Sequence, residues 1–385
     1  MRKFELLVGV TAVTALVLAM IAFPPLLASG QNAGFDPSDL VRPAAISAAP
    51  VDMGLPGDIA ASAPGYTLNL VWDMAADVYA GYGGALDLRV TNSDPTGSLF
   101  IYGMGLQWDT GETYTRNCSV TVSAGQQADV GLLLFGAPLQ EGKHYYKIIV
   151  KVAASNQDGT EWYDYGTISR DAIGPIAIKP LGVAESYTTY SNPSVYFDRV
   201  NEHIDLDAVA TIVSEVRGEQ PGGYSVLQIA QAYQWIRDNV EYRSDGPEDH
   251  WQSPAETIEI GTGDCEDQSF LLASIITAMG GNARVNIINY HAFTSVFVAS
   301  NEQELAEIEK AMASFYGMDV SEYRMAYLED DMGFWLVLDT TGFQYAGGIP
   351  ARSVPISADG GWSVQSPYLY KLDVVAADDN GLWPF

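Results

Sequence analysis

Gly261-Thr262-Gly263-Asp264-Cys265-Glu266-Asp267 runs directly into an apolar helical stretch, residues 269–279. The glycines and the acidic residues mark a turn that ends at a helix start, which places Cys265 at a helix N-terminus. Unpaired N–H groups and the positive end of the helix dipole favour a thiolate there, and the thiolate is the nucleophilic form of cysteine. Working outward, His291 opens an alternating stretch 26 residues further on, and Asp339 closes the apolar run 335–338. Nucleophile, base and orienting carboxylate therefore occur in the order Cys, His, Asp. A helix and a returning strand fill the first interval, and a further helix and strand fit the second.

Around this core the chain divides by composition. Residues 205–217 and 225–239 carry helical spacing, with Leu227, Ile229, Ala232, Tyr233 and Ile236 forming an apolar stripe. The cysteine helix, a strand pair at 283–298, a helix at 302–316 and a strand ending at Asp339 follow, so residues 181–352 read as an α+β domain. Ahead of it, residues 66–180 break into short alternating runs separated by polar turns such as Asn92-Ser93-Asp94-Pro95-Thr96-Gly97. That pattern predicts an antiparallel β-sandwich of immunoglobulin-like shape. Residues 29–65 are rich in Ala, Pro, Gly and Ser without periodicity and read as a flexible stalk. The tail, 353–385, has strand-like pieces with no evident place.

Residues 6–28 contain no charged side chain over 23 positions and follow Arg2 and Lys3. That length spans a bilayer, and the basic flank orients the N-terminus inward, with the bulk of the chain extracytoplasmic. Residues 1–28 are accordingly either a membrane anchor, the reading their length favours, or a signal segment cleaved near Ala28-Ser29-Gly30. The expected location is the cell membrane by a single pass, or secretion if the segment is removed.

Forty-eight acidic against 19 basic residues give a formal charge of −29. Such a surface repels nucleic acid, which is excluded as a partner. The hydrophobic share of 48% excludes a disordered chain. Two cysteines in an exported chain ordinarily suggest a bridge. Here Cys118 lies in a strand-like run of another domain and reads as a buried small hydrophobe, leaving Cys265 unpaired.

Several segments together resemble the transglutaminase-like superfamily, whose catalytic core is a papain-like cysteine fold. They are residues 233–242, Trp251-Gln252-Ser253-Pro254-Ala255-Glu256-Thr257, Gly263-Asp264-Cys265-Glu266-Asp267, residues 280–285, His291-Ala292-Phe293 and Trp335-Leu336-Val337-Leu338-Asp339. The resemblance covers residues 233–345 and implies Cys265 as nucleophile, His291 as general base and acid, and Asp339 as the group that orients the imidazole. It also implies an oxyanion role for the Trp251 indole. Many members carry tryptophan after the histidine and proline after the aspartate, whereas this chain has Ala292 and Thr340, which leaves the substrate open.

Each residue also has a plainer reading. Cys265 is compatible with an inert buried thiol, His291 with a strand-end histidine, Asp339 with a cap on the turn Thr340-Thr341-Gly342, and Trp251 with core packing. His250 is the rival base by sequence distance. Asp264, Glu266 and Asp267 complement the helix dipole; with Asp245 or Asp249 they are also weak calcium candidates, and no other cofactor is expected. Acidic neighbours oppose ionisation of the thiol. The reading that follows is a membrane-anchored, extracytoplasmic thiol enzyme acting on amide bonds of a protein or peptide substrate, a peptidase or amidase before a cross-linker. The alternative is a non-catalytic surface interaction protein.

Overall fold

The computed structural model describes residues 34–74, 77–246 and 249–375. The apolar segment at 6–28 lies outside them. Among the described residues no helix is long and apolar enough to cross a membrane.

The N-terminal part is built from strands. In chain order they are β1 (Asp58–Ile59), β2 (Leu68–Met74), β3 (Val78–Tyr79), β4 (Gly84–Asn92), β5 (Leu99–Trp108), β6 (Thr113–Val122), β7 (Gln127–Phe135), β8 (Gly142–His144), β9 (Tyr146–Ser155), β10 (Glu161–Asp171) and β11 (Ile176–Lys179). They form a five-stranded sheet β1-β10-β9-β5-β6 and two three-stranded sheets, β2-β4-β7 and β3-β11-β8. Leu86, Leu88, Val90, Ile101, Leu106, Val122, Leu133, Ile148, Val150 and Val152 are all within 1% of full burial and make the core between sheets. Pairing is antiparallel except at the short edges, where β1–β10 and β3–β11 run parallel. Cys118 sits in this core as a free thiol.

The second part carries β12 (Thr188–Ser191), α1 (Ser194–Glu202), α2 (Ala210–Glu219), α3 (Val226–Asn239), β13 (Glu241–Tyr242), α4 (Pro254–Ile260), β14 (Thr262–Gly263), α5 (Cys265–Ala278), β15 (Ala283–Ile288), β16 (His291–Ala299), α6 (Glu302–Phe315), β17 (Tyr327–Asp330), β18 (Gly333–Leu338), β19 (Ser353–Pro355), β20 (Trp362–Val364) and β21 (Tyr368–Asp373). Six of these strands form one sheet in the order β12-β21-β15-β16-β18-β17. Helix α5 is apolar on nearly all sides, with Phe270, Leu271, Leu272, Ala273, Ile275 and Ile276 fully buried. A helix that is hydrophobic all round belongs in a core, and here it lies against β15 and β16. This burial fixes the helix and hence the position of its first residue, Cys265.

Two sequence expectations change. The segment expected as a flexible stalk is tied to the rest of the chain at several described points up to β1. Phe35 stacks on Trp335 at 5.9 Å, the Val41 N–H donates to Asn282 Oδ1 at 2.7 Å, Ala44 bridges to Ser225, and β1 adds an edge strand to β10. Extended chain docks through its backbone groups, so it needs no periodic side-chain pattern. The tail is also placed: β21 enters the sheet between β12 and β15.

A buried polar hub accounts for both. Asp373 of β21 accepts from Arg284 Nε at 2.6 Å, from Asn192 Nδ2 at 2.9 Å and from the Phe35 N–H at 3.0 Å. Arg284 also donates to Asp330 Oδ2 at 2.6 Å, and its guanidinium lies 3.5 Å from the Trp335 ring centroid. Burial alone would raise the Asp330 carboxyl, but Arg284 and Lys371 outweigh it and hold the pKa down at about 2. The hub ties strap, tail and sheet together. Its removal would leave buried charges without partners.

Candidate active site

Three backbone features carry the site: the N-terminus of α5, the start of β16 and the end of β18. Strands β15 and β16 are joined by the two-residue turn Asn289-Tyr290, since Ile288 pairs with His291. Thr294 of β16 pairs with Leu338 of β18, which brings the residue after β18, Asp339, alongside the start of β16. His291 and Asp339 therefore meet by register. His291 Nε2 lies 2.6 Å from Asp339 Oδ2, and both side chains are at least 95% buried.

Asp339 is held from every direction. Its Oδ1 accepts from the Thr341 N–H (3.1 Å), the Thr341 hydroxyl (2.9 Å) and the Gly342 N–H (2.9 Å), and its Oδ2 accepts from the Ala351 N–H (2.8 Å). Capping a turn and orienting an imidazole were alternatives in the sequence. One oxygen serves the turn and the other faces the histidine. A side chain at position 342 would strike the carboxylate and the Ala351 amide, so the glycine is required there. Burial works against the Asp339 carboxylate, yet the His291 charge and hydrogen bond, with the Ala351 and Thr341 donors, hold its pKa below the ordinary range. Tyr233 fixes the loop from beneath, its one hydroxyl hydrogen shared between the carbonyls of Asp339 and Phe343, each 2.8 Å away.

The cysteine side is different. Cys265 is the first residue of α5, with Asp264 as N-cap, and its sulfur accepts from the Ala292 N–H, directly beside His291. The thiol itself is bonded to Glu266 Oε2 at 3.1 Å. The expectation that the helix start leaves a thiolate is not met. Burial pushes the thiol pKa far up, and the charge and hydrogen bond of Glu266 add to it, against the weaker help of the Ala292 N–H. Glu266 is in turn raised to about 8, by burial first and by the neighbouring Asp264 charge. Two carboxyls and a thiol crowded at one helix turn cannot all ionise. Asp264 is 93% buried, and its Oδ1 has no hydrogen-bond partner among the described residues.

Asp267 does structural work. Its Oδ1 accepts from the Gln252 N–H at 2.8 Å and its Oδ2 from the Asp264 N–H at 3.2 Å, pinning the Trp251-Gln252 segment to the start of α5. Trp251 packs on Phe270 at 5.1 Å under the Arg199 guanidinium, 3.5 Å from its ring centroid. His203 supports it, bonded to the Trp251 carbonyl at 3.1 Å. His250, the rival base, is exposed and faces Glu256 at 3.8 Å. His144 pairs with Asp109 at 2.9 Å in the strand-built N-terminal part.

Gln268 and Thr340 join the two sides; sequence reasoning missed Gln268 and saw in Thr340 only a turn residue. Gln268 Nε2 donates to the Gly263 carbonyl at 3.1 Å, and its Oε1 accepts from the Thr340 hydroxyl at 2.7 Å. The signal for Gln268 was a polar side chain opening an apolar helix. For a cation, oxygen ligands from Asp245, Asp249 and Glu266 come within 4.8 Å of one another, as do donor atoms of Asp264, Cys265 and Glu266. Asp267 is absent from both groups, its oxygens being taken by backbone N–H donors.

Residues 210–340 match the family model of the transglutaminase-like superfamily. Among solved structures the chain is similar to a candidate cysteine protease from Cytophaga hutchinsonii, at 11% identity over 83% of this chain and 96% of that one, with a TM-score of 0.25. A candidate protease from Parabacteroides distasonis aligns at 10% identity over 60% of this chain and 65% of that one, TM-score 0.23. The ASH/PapD-like domain of human CEP192 aligns at 9% identity over 30% of this chain and 87% of that one, TM-score 0.17. No curated protein matches the chain.

Proposed function

We propose that the transglutaminase-like domain at residues 210–340 is a thiol enzyme that cleaves or transfers amide-linked acyl groups, with Cys265 as nucleophile, His291 as base and Asp339 as the orienting carboxylate. The observation that carries this reading is the buried His291–Asp339 pair, its other imidazole nitrogen left for the adjoining strand end where the Cys265 sulfur lies. A buried imidazole held by a fully bonded carboxylate has its tautomer fixed. Nδ1 takes the thiol proton as the sulfur attacks the carbonyl carbon. The tetrahedral oxyanion collapses to a thioester, and the same proton goes to the departing amine. Water or an amine then attacks the thioester, returning sulfur as leaving group. The Cys265 N–H is the first oxyanion donor, and the indole of Trp251, whose neighbour Gln252 is held by Asp267 through its backbone N–H, is the second.

In the cell we place this activity outside the cytoplasm, held to the membrane by residues 6–28, with peptides or proteins as substrates and hydrolysis as the main outcome. The reading is tested by the alkylation rate of Cys265 with iodoacetamide between pH 5 and 9, in the native chain and in His291→Ala. Faster labelling in the native chain at pH 7, reduced at least about tenfold by the substitution, is expected of a thiol that hands its proton to the imidazole. Equal rates in both proteins would end the enzyme reading and leave a surface binding module.

A further inference from the structure

Among the described residues three without a glycine's freedom have positive φ: Asn192, Tyr290 and Arg352. Asparagine tolerates this conformation; tyrosine and arginine adopt it only under strain. Both strained residues flank the site. Tyr290 (φ 57°) immediately precedes His291, and Arg352 (φ 59°) immediately follows Ala351, whose N–H holds Asp339 Oδ2. They also meet each other, the Arg352 guanidinium lying 5.5 Å from the Tyr290 ring centroid. The pair is therefore anchored through backbone to the two residues of the buried His291–Asp339 pair, while its side chains reach solvent, Tyr290 being 76% exposed.

Charge sets the two flanks of the site apart. Asp245, Asp249, Asp264 and Glu266 all lie on the cysteine flank of the site. Arg352 stands on the histidine flank and makes no ion pair with any carboxylate among the described residues, in a chain of 48 acidic and 19 basic side chains. An arginine laid on an aromatic face keeps its charge, and the edge of its planar fork stays free to receive two oxygens of one carboxylate.

We propose that Tyr290 and Arg352 form a subsite that receives a carboxylate of the substrate on the histidine side of the thiol, so that the acyl substrate is an acidic peptide or one with its free C-terminus near the scissile amide. The substrate language rests on the thiol-enzyme reading of Cys265. The strain has a function in this account: it holds the two residues that flank the His291–Asp339 pair in turns that bring their side chains together.

The test compares alkylation of Cys265 in the full chain by iodoacetate, a carboxylate, and iodoacetamide, its neutral amide. In both, the sulfur forms a bond to the methylene carbon as iodide leaves, so the ratio of rates reports only the recognition of the charge. Arg352→Gln should lower the iodoacetate-to-iodoacetamide ratio by about threefold to tenfold, and Arg352→Glu should lower it further. Tyr290→Gly should lower it about twofold while the unfolding temperature holds or rises, because glycine relieves the positive φ. Arg243→Gln removes the same unit of charge from an exposed residue after β13 and should leave the ratio unchanged. A ratio insensitive to Arg352→Gln, or one that falls equally with Arg243→Gln, would overturn the subsite. A thiol slow with both reagents and indifferent to His291 would overturn the enzyme reading instead, and the ratio would still decide the subsite.

Discussion

The strand side and the helix side of the candidate site are both buried, yet their polar atoms fare differently. On the strand side each Asp339 oxygen has at least two donors, and the carboxylate is held in its charged form. On the helix side Asp264 keeps an oxygen without a partner among the described residues, and Cys265 and Glu266 are both driven toward their protonated forms. Fully bonded groups are rigid, whereas a group short of partners changes state when something arrives to satisfy it. In the proposed reading the strand side would supply the fixed base and the helix side a resting thiol that gives its proton to His291.

The hardest way to break the comparison is Asp339→Ala. It leaves His291 buried without its partner and strips the turn of its acceptor, so a loss of about 3–5 kcal/mol of stability is expected, together with loss of Cys265 labelling. Urea unfolding checks the first and mass analysis the second. A loss under about 1 kcal/mol would mean that the strand side is no more rigid than the helix side. Next comes Asp267→Ala, which frees the Gln252 and Asp264 N–H groups. About 1–3 kcal/mol should go, with Trp251 becoming more solvent-exposed by fluorescence. Unchanged emission would show that Trp251 is held by its Arg199, His203 and Phe270 contacts alone.

Sequence made the strand side more legible than the helix side for a physical reason. The order Cys265, His291, Asp339 and the strand lengths between them constrain which backbone ends lie together, because antiparallel register is strict. The turn signal Thr340-Thr341-Gly342 after Asp339 was visible too. What one sequence does not carry is the balance of burial against dipole at Cys265, which depends on how deeply α5 is set into the core. Nor did it show the docking of the strap from residue 34 to 59 or the place of the strand-like tail piece that becomes β21. Both are fixed by a long-range polar hub at Asp373, and their own spacing has no period to read. Gln268 was visible as a polar residue in an apolar helix, but its partner Thr340 lies 72 residues away.

The smallest and most discriminating change is Glu266→Gln. It keeps the volume and removes the acid that accepts the thiol proton. A folded pKa of about 8 against an ordinary value of 4.5 means that the native chain holds a proton the unfolded chain has released. Stability then falls as pH rises from about 4.5 to 8, since the unfolded state binds fewer protons over that window. The amide cannot titrate, so the variant should lose this slope. It should match the native chain near pH 4 and exceed it by about 1–2 kcal/mol at pH 8, a figure reduced for the partial exposure of the group. The same change removes a negative charge from the thiol, so Cys265 alkylation should begin at lower pH. If thermal melts at pH 5 and pH 8 show the same difference between variant and native chain, Glu266 is ionised throughout and the helix side is not held at rest by its carboxyl. Parallel slopes with an unmoved alkylation profile would remove the contrast between the two sides, and the source of the resting state would then be burial of the sulfur alone.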